Sequence, residues 1–193
     1  MSARHRKKPP ALWLMTDERV PDAALLAAVG RLPKGDAGIV FRHYATPDAQ
    51  RRELFDALRR IAMRRRLLLL LGGTARQAAA WQADGVHGRD GRRVARPLLR
   101  SASVHDAREA AAARKADICF VSPLFPTRSH PGAPALGPVR FAALAHGIKV
   151  PVMALGGMRR AHRRMLHGIG ADGWAAIDGL MMESRRAPAK AGD

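Results

Sequence analysis

Short apolar runs alternate with amphipathic stretches along most of this chain. LWLMTD (12–17), GIVFRHY (38–44), LLLLL (67–71), DGVHG (84–88) and LLRSASVH (98–105) read as strands, as do DICFVSPLF (117–125), VPVMALGG (150–157) and DGWAAIDGL (172–180). The unbroken LLLLL suits a strand buried on both faces of a parallel sheet. Between these runs, DAALLAAVGRL (22–32) predicts a helix entered through Pro21. A second helix over 47–65 has Pro47 in its first turn, with Leu54, Leu58 and Ile61 recurring at helical spacing. TARQAAAWQ predicts a short helix capped by Thr74, and DAREAAAARK opens on Asp106 in a capping box with Glu109. Further helices are expected near 137–147 and 159–168.

Eight strands in alternation with about seven helices argue for an α/β fold. That number of units favours a small closed (β/α)8 TIM barrel in a single domain, with an open flavodoxin-like or Rossmann sheet as the alternative. The chain has 193 residues, whereas such barrels run to about 250. The shortfall falls on the fourth helix, where only RDGRRVAR separates two strands, and on a short terminal helix. Residues 1–10 are expected to be a disordered basic N-terminus, 11–185 the barrel domain, and 186–193 a flexible C-terminus.

Charge changes the picture less than its size suggests. The net charge is +18, from 34 Lys plus Arg against 16 Asp plus Glu, and 28 of the cations are Arg. That balance would suit nucleic acid, an anionic surface or a phosphorylated substrate. However, aromatic residues make up only 5%, too few for a base-stacking platform, and no zinc-finger or RNA-binding motif is present. Charges such as Arg51, Arg52, Arg59 and Arg60 are expected on solvated helix faces, so nucleic acid is not the expected partner. No stretch approaches the roughly 18 apolar residues of a membrane span, and ALWLM is too short for a signal core, so a cytoplasmic location is expected. The single cysteine, Cys119, lies in an apolar strand and is expected to pack as a small hydrophobe rather than act as a nucleophile.

In a barrel the active site lies at the C-terminal ends of the strands. Those ends hold Thr16 and Asp17, Arg42 to Tyr44, Gly72 and Gly73, His87 to Asp90, Ser103 to His105, Ser122 onward, Gly156 and Gly157, and Ile177 to Gly179. ALGG after the seventh strand and AIDG after the eighth stand where many barrels bind phosphate through backbone N–H groups. The plainer alternative is that the glycines simply end a strand. Thr127, Arg128 and Ser129 on the sixth loop add donors for the same anion. His105 can serve as a general acid or base, or be a hydrogen-bonded structural residue. His87 has the same ambiguity.

Taken together, LWLMTDER, GIVFRHY, ADGVHGRD, SASVHDAREA, ADICFVSPLFPTRSHPG, LG at 136 and 137, VPVMALGGM and GADGWAAID, over roughly residues 12–180, resemble the thiamine phosphate synthase and thiazole tautomerase (TenI) family. The resemblance implies a (β/α)8 fold and a phosphorylated small-molecule substrate. In the synthase a pyrimidine pyrophosphate loses pyrophosphate with magnesium's help and is captured by the nitrogen of a thiazole phosphate. In the tautomerase a proton shift aromatises a thiazole carboxylate phosphate. By resemblance Arg42 meets pyrophosphate, Thr127 and Ser129 are sixth-loop hydroxyls, Gly156 and Gly157 are the phosphate-binding glycines, and His105 stands where the tautomerase has its proton-transfer histidine, a position where synthases often carry a histidine too. The turn Ile177–Asp178 joins the phosphate site by its place in the barrel.

The sequence also departs from that family. Gly72 and Gly73 stand where a synthase has an Asn-Asp pair for magnesium, and glycine offers no side-chain oxygen. Asp90 is a weak match to the second metal aspartate. Val40 and Tyr44 replace Gln and Lys beside the arginine, His130 replaces a lysine, and Asp178 replaces a serine where a carboxylate would repel phosphate. These departures favour a divergent, metal-independent, TenI-like protein with no cofactor, Mg2+ being expected only if synthase activity is retained. An active thiamine phosphate synthase and a non-catalytic ligand-binding barrel are the alternatives, and a homo-oligomer is compatible with either.

Overall fold

Eight parallel strands close on themselves in sequence order, each paired with its neighbours and β8 returning to β1. The computed structural model describes residues 8–88, 92, 94–127, 132 and 134–181. The strands are β1 (Leu12–Met15), β2 (Ala37–Phe41), β3 (Leu68–Gly72), β4 (Gly85–His87), β5 (Leu99–Val104), β6 (Ile118–Val121), β7 (Val152–Ala154) and β8 (Gly173–Ala176). The α-helices are α1 (Asp22–Arg31), α2 (Asp48–Arg65), α3 (Ala75–Ala80), α4 (Ala107–Ala112), α5 (Gly137–His146) and α6 (Asp178–Met181). The closed barrel excludes the open flavodoxin-like or Rossmann sheet.

Strands of three to six residues explain how so short a chain closes the barrel. The described residues between β4 and β5 carry no helix, and α6 is a single turn. The helix expected near 159–168 is replaced by 3-10 turns at Arg160–Met165 and His167–Ile169. Gly168 and Gly170 break that segment, and Gly170 takes a left-handed φ of +74°, so the tighter turn is kept. Thr74 accepts a hydrogen bond from Gln77 N–H at 3.1 Å, and Asp106 accepts one from Glu109 N–H at 2.7 Å, so both expected caps form.

Inside the barrel, Trp13, Met15, Val40, Leu68, Leu70, Ile118, Phe120, Met153, Ala175 and Ile177 form one packed cluster. Trp13 meets Phe120 edge-on with ring centroids 5.5 Å apart. A Cβ on Gly38 would fall 2.3 Å from the Trp13 ring, so the bulk of one inward position is matched by a glycine opposite. Two further clusters bury the outward strand residues beneath α1–α3 and beneath α5 with its neighbours. Cys119 belongs to the latter and is 1% exposed. Burial pushes its thiol up to about 11, leaving almost no thiolate at neutral pH. Among the described residues no helix is long and apolar enough to cross a membrane.

Candidate functional site

Arg42 is fixed at the mouth by the end of β1. Its backbone N–H donates to Thr16 Oγ1 at 2.9 Å, and its Nε donates to the Thr16 carbonyl at 2.8 Å. Thr16 Oγ1 also pairs with His43 Nδ1 at 2.9 Å, and the His43 ring stacks on Phe41. The terminal nitrogens of Arg42 make no hydrogen bond with the described residues. The guanidinium is therefore oriented through one nitrogen, and its outer donors are left without a described partner. Nearby, Asp17 is engaged by Arg19 at 2.5 Å, which holds its carboxyl at about 2.

Arg51 corrects the expectation of a solvated helix face: it is 5% exposed. From the first turns of α2 its Nη2 donates to Gly72 O at 2.5 Å and Arg42 O at 3.2 Å, and its guanidinium lies over Phe41 and Trp81. The physical reason is that the ends of β2 and β3 leave carbonyls under the helix, and a long planar donor satisfies both while its stem packs on aromatics. Arg51 thus ties together the strand ends that carry Arg42 and Gly72.

The donor set at the end of β3 does not fit a divalent cation. Gly72 and Gly73 provide no side-chain oxygen, and a Cβ at Gly72 would lie 2.6 Å from the Tyr44 hydroxyl. Gly73 has φ +155°, and a Cβ there would lie 2.6 Å from Gln77 Oε1. Among the described residues no three His, Cys, Asp or Glu side chains are grouped to hold a metal ion. Asp90, the weak metal candidate, lies outside the described residues, as do Arg128, Ser129 and His130.

On β4 and β5 the two candidate histidines separate. His87 is buried, with Nδ1 2.9 Å from Ser101 Oγ and Nε2 3.2 Å from Ser103 Oγ. Burial, helped by the charge of Arg42, lowers its pKa to about 4, so it is neutral and acts as a hydrogen-bond bridge. His105 is solvent-accessible, with its backbone N–H 2.8 Å and its Nδ1 2.7 Å from Glu109 Oε2. The carboxylate engages Nδ1 and orients the ring, the arrangement of a general base held by a carboxylate.

Across the mouth, the loops after β6 and β7 are stitched together. Leu124 N–H donates to Leu155 O at 2.8 Å, and Phe125 N–H to Gly156 O at 3.1 Å. Gly156 and Gly157 both have left-handed φ, +92° and +62°. A Cβ at Gly156 would meet Pro123 at 2.6 Å, and one at Gly157 would meet the Pro126 carbonyl at 2.6 Å. Only glycine permits both the conformation and the close approach. Neither Gly156 N–H nor Gly157 N–H donates to a described residue, so two adjacent donors remain beside the loop that carries Thr127. Ile177 is 8% exposed and packs in the barrel interior. Asp178 begins α6; its side chain lies outside the described residues.

Sequence reasoning missed Arg51, Tyr44 over Gly72, and Glu109 as the partner of His105. The last was signalled by the capping pattern itself, since a Glu four residues after a histidine at a helix entry can reach back to it.

The family model described as thiamine monophosphate synthase matches residues 12–180. Thiamine-phosphate synthase from Syntrophomonas wolfei is 33% identical over 186 residues, covering 89% of this chain and 88% of that protein. The protein of the same name from Salinispora arenicola is 33% identical over 183 residues, with 88% of each chain covered. Among solved structures, thiamine phosphate pyrophosphorylase from Pyrococcus furiosus superposes with a TM-score of 0.73 at 26% identity, covering 88% of this chain and 86% of that one.

Proposed function

The chain belongs to the thiamine monophosphate synthase family, and on that premise we propose that it is a transferase joining a hydroxymethylpyrimidine, delivered as its pyrophosphate, to a thiazole phosphate. In that reaction the bond between the pyrimidine methylene carbon and the pyrophosphate oxygen breaks, the thiazole nitrogen bonds to the methylene carbon, and pyrophosphate leaves. The names of the similar proteins support this reaction over the TenI-like one expected from the sequence departures.

One observation carries the site. Gly156 and Gly157 present adjacent left-handed backbone N–H groups without a described partner, at the C-terminal end of β7 where barrels bind phosphate. In this reading they hold the thiazole phosphate, with Thr127 and Ser129 as sixth-loop hydroxyls and the Ile177–Asp178 turn closing the same subsite. Arg42 meets the departing pyrophosphate, and its outer nitrogens stabilise the charge that develops there. The family's magnesium has no matching donors at Gly72 and Gly73, so no step is assigned to it. Thermal-shift titration with thiazole phosphate tests the subsite: the melting temperature rises in the parent chain and not in Gly157→Ala. An equal rise in both removes the glycines from the site.

A second reading is kept because of His105. Its Nδ1 contact with Glu109 at 2.7 Å suits the proton shift that converts a thiazole carboxylate phosphate tautomer into its aromatic form. Aromatised product made at an appreciable rate by the parent chain, and lost in His105→Gln, would favour this reading over the transferase.

A further inference from the structure

Tyr44 stands where a tyrosine changes what the mouth can bind. The residue is 62% exposed, and its hydroxyl lies over the end of β3, 2.6 Å from the place a Gly72 Cβ would take. Gly72 O on the same residue is bound by Arg51 Nη2. The charges of two guanidinium groups reach the phenol, from Arg42, half-buried at the mouth, and from the buried Arg51, and neither is hydrogen-bonded to a described carboxylate. Desolvation of the hydroxyl against the end of β3 raises the phenol's pKa while the charges of Arg42 and Arg51 pull it down, so the group is a neutral hydroxyl donor at physiological pH.

A cationic edge of this kind repels a divalent cation and attracts an anion. A side chain at position 72 would meet the Tyr44 hydroxyl at 2.6 Å where the tyrosine now stands, and would displace it from the strand end. The glycine and the tyrosine are thus complementary, and together they exchange an oxygen-ligand position for a hydrogen-bond donor.

We propose that the β2–β3 edge of the mouth is a metal-free anion subsite in which Arg42 and the Tyr44 hydroxyl bind a phosphoryl group directly. Arg51 supplies a fixed positive charge behind them and holds the two strand ends in place. The inference rests on the transferase reading only for the identity of its ligand, a pyrophosphate. The recognition is chemical: a guanidinium fork and a phenol O–H donate to phosphoryl oxygens that elsewhere would be neutralised by a cation.

Calorimetric titration of the purified chain with inorganic pyrophosphate tests this, run once with EDTA and once with millimolar magnesium. The subsite predicts binding in EDTA, weakened by about tenfold in Tyr44→Phe, the loss of one hydrogen bond to a charged group, and by more in Arg42→Gln. Tyr44 is exposed, so Tyr44→Phe keeps the fold, which circular dichroism verifies. Binding that requires magnesium, no binding in either buffer, or EDTA binding indifferent to both substitutions would each overturn the proposal. Formation of thiamine phosphate is a separate readout. Its absence alongside substitution-sensitive binding in EDTA would remove the transferase reading and keep the subsite.

Discussion

Arg51 Nη2 lies 2.5 Å from the carbonyl oxygen of Gly72, so a helix residue joins the β4 ladder in holding the third strand's end. Replacing it leaves the Gly72 and Arg42 carbonyls without that donor under α2. Arg51→Met is expected to lower unfolding stability by about 1–3 kcal/mol, read as a lower urea midpoint at unchanged slope. Arg51→Lys, which keeps the charge but not the planar fork, recovers only part of it. An unchanged midpoint in Arg51→Met would mean that the tie is dispensable.

His87 makes stability depend on pH in a defined window. Its folded pKa, about 4, lies below the ordinary 6.5, so the neutral ring is favoured by folding. Its contribution is fully present above about pH 6.5 and is lost as pH falls toward 4, with an upper bound of about 3 kcal/mol. Urea midpoints measured between pH 7 and pH 4.5 are expected to fall in the parent chain and to fall less in His87→Gln. Equal pH dependence in the two proteins would show that the buried imidazole does not govern that window.

Two glycines of similar appearance in the sequence are expected to respond oppositely to alanine. A Cβ at Gly30, within α1, meets nothing within 4 Å, whereas at Gly157 it meets Pro126 O at 2.6 Å and the φ is +62°. Gly30→Ala should stabilise by about 0.4–1 kcal/mol through the unfolded chain. Gly157→Ala should destabilise by about 1–3 kcal/mol through backbone strain. Melting temperatures shifting in the same direction would contradict this account of the β6–β7 loops.

Cys119 is expected to be chemically silent in the native protein. At 1% exposure, with its thiol pushed to about 11, it should react with a disulfide reagent at pH 8 only at the rate of unfolding. Rapid stoichiometric labelling without denaturant would show the barrel wall opening at β6.

The eight strands and their order were legible because strand burial writes itself as apolar runs, and LLLLL or ICFV can hardly be anything else in an alternating chain. The cysteine followed from its neighbours. The Arg160–Ile169 segment was harder, since helical spacing alone does not distinguish an α-helix from 3-10 turns when glycines follow. Arg51 escaped notice because its burial depends on carbonyls from two strands and the rings of Phe41 and Trp81, which only the closed barrel brings together. The pairing of Tyr44 with Gly72 spans 28 positions in sequence. Its signal is a bulky residue and a glycine at the ends of adjacent strands, visible once the β2–β3 register sets Phe41 opposite Leu71.

The most direct test of the central reading is chromatographic detection of thiamine phosphate after incubating the purified chain with hydroxymethylpyrimidine pyrophosphate and thiazole phosphate, with EDTA and with magnesium. The transferase reading predicts product in both buffers and a loss of about a hundredfold or more in Arg42→Gln, the scale for removing a donor aimed at developing charge. No thiamine phosphate in either buffer would contradict it.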